Sequence, residues 1–197
     1  KEIEEQPKAI RDTISPRIKD GKIVLDDISL TEEDIKNINK IYIVACGSAY
    51  HVGVVGKYVI EKMCRIPVEV QVASEFRYCD PIVGKDDLVI VISQSGETAD
   101  TKAALEEAKA RGARVLSIVN VVGSAIAKAS DDVIYTWAGP EIAVATTKAY
   151  STQLTVIYLI AAYMADKLGK ISKEEYADLK ISNTPEMIAF INECLKS

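Results

Sequence analysis

Three short stretches hold the residues best able to do chemistry. Ser93-Gln94-Ser95-Gly96-Glu97-Thr98 brings three hydroxyls, a side-chain amide and a flexible glycine to the point where an apolar run gives way to a helical pattern. That inventory suits a phosphate. Free backbone N–H groups and the positive end of the helix dipole bind its oxygens, and hydroxyls add hydrogen bonds without a Lys or Arg. The same residues also fit a plainer reading, in which Thr98 caps a helix and the serines form a turn. The other two stretches are Cys46-Gly47-Ser48-Ala49 and Gly139 to Lys148, GPEIAVATTK.

Single residues offer less. Cys46 is a possible nucleophile with no base specified near it, and otherwise a buried structural thiol. His51, the one imidazole, is either a general base or a structural helical histidine. Glu97 and Glu141 are each an acid or base, or else carboxylates at helix starts. Neither G-x-G-x-x-G nor G-x-x-x-x-G-K-[ST] occurs, and the nearest approach puts His51 where the first P-loop glycine belongs and Tyr58 where Ser or Thr belongs. NAD and ATP are disfavoured. Cys46, Cys64, Cys79 and Cys194 form no CxxC pair and have no histidine at zinc-ligand spacing, so no metal is called for and a reducing, cytoplasmic setting is expected.

All three stretches follow apolar runs, and an alternation of strands and helices is what must position them. Ile41 to Cys46, Val68 to Ala73, Leu88 to Ile92, Arg114 to Val119 and Val133 to Trp137 are short and rich in β-branched residues. Helical patterns separate them at Ser48 to Met63, Thr98 to Arg111 and Ser124 to Ala129. Near-continuous apolar strands alternating with helices predict an α/β fold, a parallel sheet covered on both faces. In such sheets ligands bind beyond the carboxyl ends of the strands, where the three stretches lie. Ahead of the sheet a lead-in helix over Lys1 to Ile14 is broken at Pro16 and Gly21, and Thr31 with Asp34 marks a short second helix ending near Asn39. After it a helix runs from about Thr147 to Leu168. Ser172 with Glu175 then starts another, divided at Pro185.

The 197 residues carry 24 Lys and Arg against 29 Asp and Glu, a net charge of −5, with 48% hydrophobic residues. Disorder is excluded, and the dispersed basic residues argue against a nucleic-acid or anionic-membrane surface. The longest uncharged stretch, Ala149 to Ala165, is too short and too polar to cross a bilayer. One domain is expected, with a lead-in over residues 1–39 and the sheet domain over 40–197. The opening residue Lys1 and the absence of a signal pattern suggest a piece of a longer protein.

CGSAYH from Cys46 to His51, SQSGETADT from Ser93 to Thr101 and GPEIAVATTKAYSTQL from Gly139 to Leu154 together resemble the isomerase region of the glutamine-dependent fructose-6-phosphate aminotransferases. The opening KEIEEQP resembles the segment that follows their glutaminase domain. SQSGE alone marks only the wider set of sugar isomerase (SIS) domains, and the third motif makes the likeness narrower. The resemblance implies a flavodoxin-like, doubly wound, five-stranded SIS domain, the first of two in tandem. It implies that Ser93, Gln94, Ser95 and Thr98 hold the phosphate of fructose 6-phosphate or glucosamine 6-phosphate, with Ser48 beside them and Val144 and Thr146 near the sugar. Ala49 and Thr146 stand where many members have Ser; the first loses a hydroxyl and the second keeps one.

In that family the residues that open the sugar ring and move the proton belong to the second SIS domain and the C-terminal tail. No catalytic acid or base is therefore assigned in this chain, and no cofactor. Two other classes stay open on the residues alone: the sugar-phosphate-sensing module of a regulator, and a single-domain isomerase of another sugar phosphate. A homodimer is expected from the resemblance and from Thr155 to Ala165, TVIYLIAAYMA, which is apolar on nearly every side and needs either the tail helix or a second copy to cover it.

Overall fold

The computed structural model describes residues 1–20, 22–143 and 146–172. Helix α1 (Glu2–Ile14) leads through a short 3-10 turn into a two-residue hairpin, β1 (Ile18–Lys19) with β2 (Lys22–Ile23). Helix α2 (Glu32–Lys36) follows, and Thr31 and Asp34 close the capping box that the sequence predicts. The main sheet and its helices then alternate: β3 (Lys40–Ala45), α3 (Ser48–Cys64), β4 (Val68–Val72), α4 (Ala73–Phe76), β5 (Asp87–Ser93), α5 (Ala99–Ala110), β6 (Arg114–Val119), α6 (Ala125–Ala129) and β7 (Asp132–Tyr135). Helix α7 (Lys148–Lys167) ends at Gly169, whose φ of +62° breaks the helix.

All five strands of the main sheet are parallel, in the order β4-β3-β5-β6-β7. This is the flavodoxin-like arrangement, in which the chain steps outward from β3 to β4 and then returns to the other side of β3 with β5. Alternate residues of each strand enter different cores. Ile41, Ile43, Leu88, Ile90, Ile92, Leu116 and Ile118 pack with α3 and α7, while Tyr42, Val44, Val89, Val91 and Val115 pack with Phe76 of α4 and Leu105 of α5. With both faces of the central strands buried, a polar residue on either would lie in a core, which is why β3, β5 and β6 read as near-continuous apolar runs, while the half-buried edge strand β4 carries Glu69 and Gln71. Helix α3 lies unusually close to the sheet, because a Cβ on Gly53 would come 2.9 Å from Ile43.

The cover over α7 differs from the expectation. Val156, Ile157, Ile160, Ala161 and Ala165 are buried within the chain, against α3 and α1. The lead-in helix thus supplies the cover assigned to a tail helix or a second copy, and α7 does not by itself require a dimer. The lead-in also shares the main core through Ile10, Ile14, Leu25 and Leu30. The helix expected from Ser172 onward, with its division at Pro185, lies outside the described residues.

Candidate functional site

The reversal of strand order between β3 and β5 opens a crevice at their carboxyl ends. The loop after β3 and the loop after β5 form its two walls, and α7 closes it. A cleft of about 480 Å³ results, lined among others by Cys46, Gly47, Ser48, Ser93, Gln94, Ser95, Thr98, Thr101, Thr146 and Gln153. None of these side chains carries a formal charge, so an anion held here is held by hydroxyls, amides and backbone N–H groups.

Within the loop after β5 the hydroxyls are already ordered. Ser93 Oγ accepts the Gly96 N–H at 3.0 Å and lies 3.2 Å from Thr98 Oγ1, and Ser95 Oγ accepts the Glu97 N–H at 3.2 Å. Thr98 is the N-cap residue of α5, yet its side chain makes no capping bond. The plain capping reading therefore accounts for its position and not for its hydroxyl, which meets Ser93 within the same loop. The first-turn N–H groups of α5 have no side-chain acceptor of their own from Thr98, the arrangement that receives phosphate oxygens at helix starts.

Gly96 sets the turn. Its φ is +68°, and a Cβ there would overlap the side chain of Ser124, so only glycine fits. Ser124 in turn caps α6, and Gly96 C=O accepts the Ile126 N–H at 2.9 Å. The loop is thereby fixed to its neighbour before any ligand arrives.

The third stretch is anchored from two directions. Glu141 accepts the Ala149 N–H at 2.7 Å and the Thr147 N–H as well, so its carboxylate caps α7. From α1, Glu2 accepts the Ile142 N–H at 2.8 Å, and Glu5 pairs with the buried Lys148 at 2.5 Å. That bond to Lys148 holds the Glu5 carboxyl below its ordinary range. Asn120 completes the anchoring by accepting the Ala138 N–H at 2.9 Å and donating to Gly139 C=O at 2.8 Å.

The structure thus brings Ser48, Ser93, Gln94, Ser95, Thr98 and Thr146 to one cleft. Val144 lies outside the described residues. Of the single residues weighed from the sequence, Glu97 accepts the Ala125 N–H at 2.8 Å and so serves α6, as Glu141 serves α7. His51 is exposed and stacks edge-on with Tyr50. Cys46 does line the cleft, with Thr101 Oγ1 3.8 Å from its sulfur. Cys64 is buried against Ala161 C=O, and burial pushes its thiol up to about 12. Among the described residues no cluster of His, Cys, Asp and Glu is arranged to hold a metal, and no helix is long and apolar enough to cross a membrane. The sequence does not place Gln153 or Thr101 at the site; the one available signal is the amide of Gln153 just ahead of the mostly apolar stretch from Leu154 to Ala165.

Comparison with known proteins adds to this geometry. The SIS domain family matches residues 34–163, more than half of the chain. The chain belongs to the SIS domain family. The chain is 64% identical over 181 residues, 91% of its length, to a glutamine-fructose-6-phosphate aminotransferase (isomerizing) of Clostridium tetani. It is 59% identical over 194 residues, 97% of the chain, to the enzyme of that name from Caldanaerobacter subterraneus. The chain spans 30% and 32% of the length of these two relatives. Among solved structures, the C-terminal domain of glucosamine-fructose-6-phosphate aminotransferase from Francisella tularensis superimposes with a TM-score of 0.93 at 37% identity. The match covers 99% of this chain and 55% of that one.

Proposed function

We propose that this chain is the phosphosugar-binding part of the isomerase region of a glutamine-dependent fructose-6-phosphate aminotransferase, which makes glucosamine 6-phosphate for amino-sugar synthesis. One observation carries the reading: an uncharged, hydroxyl-rich cleft sits at the switch point of a SIS sheet in a chain so similar to enzymes of that name. The phosphate rests on the start of α5 with Ser93, Gln94, Ser95 and Thr98 around it. Ser48, Val144 and Thr146 face the sugar, Val144 by resemblance alone. Glu97 and Glu141 are committed to helix starts, and His51 is exposed against Tyr50 and does not line the cleft, which supports placing the proton transfers in residues beyond this chain. A cytoplasmic setting suits a metabolic enzyme of this kind. The homodimer rests on the resemblance, and sedimentation equilibrium tests it against the 21.5 kDa of one chain.

Calorimetric titration tests the main reading. Fructose 6-phosphate and glucosamine 6-phosphate are expected to bind and fructose is not. Ligand at about a hundred times its dissociation constant stabilises the fold by roughly 2.7 kcal/mol. Equal affinity for fructose and fructose 6-phosphate would refute the phosphate site. Binding without turnover is the further expectation, so release of glucose 6-phosphate or of ammonia from glutamine by the purified chain overturns the placement of the chemistry.

A further inference from the structure

We propose that Gln153 reads a hydroxyl of the sugar, a role that rests on the phosphosugar reading of the cleft. Gln153 is 1% exposed, and among the described residues neither its Nε2 nor its Oε1 has a hydrogen-bond partner. Its neighbours on α7 face the same burial and solve it locally. Thr152 donates to Ala149 C=O at 3.0 Å and Thr155 to Ser151 C=O at 2.8 Å. Gln153 alone among them keeps both a donor and an acceptor unused, at a position lining the cleft that holds Ser93, Thr98 and Thr146.

A buried amide without partners is a standing cost to the fold, and Leu or Met would fill the same volume without it. Packing gives no reason for glutamine here, whereas a ligand does. The chemistry of the two unused atoms narrows that ligand. Phosphate oxygens only accept, so a phosphate would serve Nε2 and leave Oε1 unpaired. A hydroxyl both donates and accepts, and one hydroxyl or an adjacent pair serves both atoms. Serines and threonine on the β5 loop meet the phosphate, and Gln153 on α7, which closes the cleft, meets the carbon chain. Both amide atoms are buried, so the contact requires the side chain to turn toward the cleft.

Calorimetry on the full 197-residue chain tests this, with fructose 6-phosphate and inorganic phosphate as probes and Gln153→Met and Gln153→Leu as variants. Both variants are expected to fold, with a thermal midpoint for the unliganded chain equal to or above that of the wild type. Their affinity for fructose 6-phosphate falls about ten-fold while that for inorganic phosphate stays the same. Undiminished fructose 6-phosphate affinity in a folded variant overturns the proposal, as does a parallel loss for both probes. Failure of both variants to fold overturns it too, by making the amide structural. A wild type that binds phosphate but not fructose 6-phosphate defeats the hydroxyl role alone. One that binds neither defeats the phosphosugar reading itself.

Discussion

The two ends of the sheet each carry a cleft, and the larger one is not where ligand chemistry is available. At the amino end a cavity of about 620 Å³ is lined by Asp34, Lys85, Asp86, Lys109, Arg114 and Asp131 among others. Asp34, Lys109, Arg114 and Asp131 are paired, with one another or with Asp132 beside the cavity. Arg114 Nε pairs with Asp132 at 2.8 Å, Lys109 with Asp131 at 2.7 Å, and Asp132 also accepts the Ser29 N–H at 2.6 Å and hydroxyl at 2.8 Å. Asp131 further accepts the Val115 N–H at 2.8 Å. At the carboxyl end the cleft is smaller and uncharged, yet there Thr98 makes no cap and, among the described residues, the Gln153 side chain makes no hydrogen bond. Buried hydrogen-bonding capacity left unused, rather than volume, marks the binding site.

Gly96→Ala tests the rigidity of the carboxyl end and carries the largest expected effect. The left-handed backbone and the overlap with buried Ser124 together cost about 4 kcal/mol. Urea unfolding should show that loss, with phosphosugar binding abolished in whatever chain remains folded. A stability within 1 kcal/mol of wild type, as an order-of-magnitude threshold for a tolerated turn substitution, would mean the loop is free to move and is not built in advance.

Asp132→Asn probes the other end, where about 3 kcal/mol of stability is expected to go with no change in fructose 6-phosphate affinity. Burial raises the Asp132 carboxyl, but the bonds from Arg114 and Ser29 outweigh it and hold the group below its ordinary range. A carboxyl lowered on folding stabilises above its unfolded pKa, roughly 3.9, and that contribution is lost as pH falls through the folded value. The stability gap between wild type and variant should therefore close on acidification. A gap that persists at the lowest pH, or an altered affinity, would show that the two ends are not independent.

The smallest effect separates binding from folding at the carboxyl end. Ser95→Ala should leave the unfolding midpoint nearly unchanged and weaken phosphosugar binding by about 1.5 to 3 kcal/mol, the range for a hydrogen bond to a charged group. A loss of a few tenths would confine Ser95 to its turn with Glu97.

The central strands β3, β5 and β6 were legible because they are buried on both faces and so are written as apolar runs, and the half-buried edge strands β4 and β7 were legible from their β-branched residues. The β1–β2 hairpin and α4 were not, since two-residue pairings and a four-residue helix have no periodicity and exist through the contacts they make, as Phe76 does with Tyr42. The hydroxyl loop after β5 was legible because its residues are contiguous. Gln153 was not, because its meaning comes from a cleft assembled by the distant segments at Cys46 to Ala49 and Ser93 to Thr98, and the sequence shows an amide but not that nothing among the described residues answers it.

The grip of α1 on the far end of the chain also sets an order of events. Thr13 bonds Thr136 C=O, Glu2 bonds the Ile142 N–H and Lys148 pairs with Glu5, contacts that span 123 to 143 positions. A thirteen-residue helix is marginal by itself in water. At about 5 to 20 residues per second of synthesis, α1 waits roughly 6 to 30 s on the ribosome before its partners emerge. Closing so long a loop places its docking after the central strands have paired. The stretch carrying Thr146, held from one side by α1, is then among the last parts of the molecule to take its final shape.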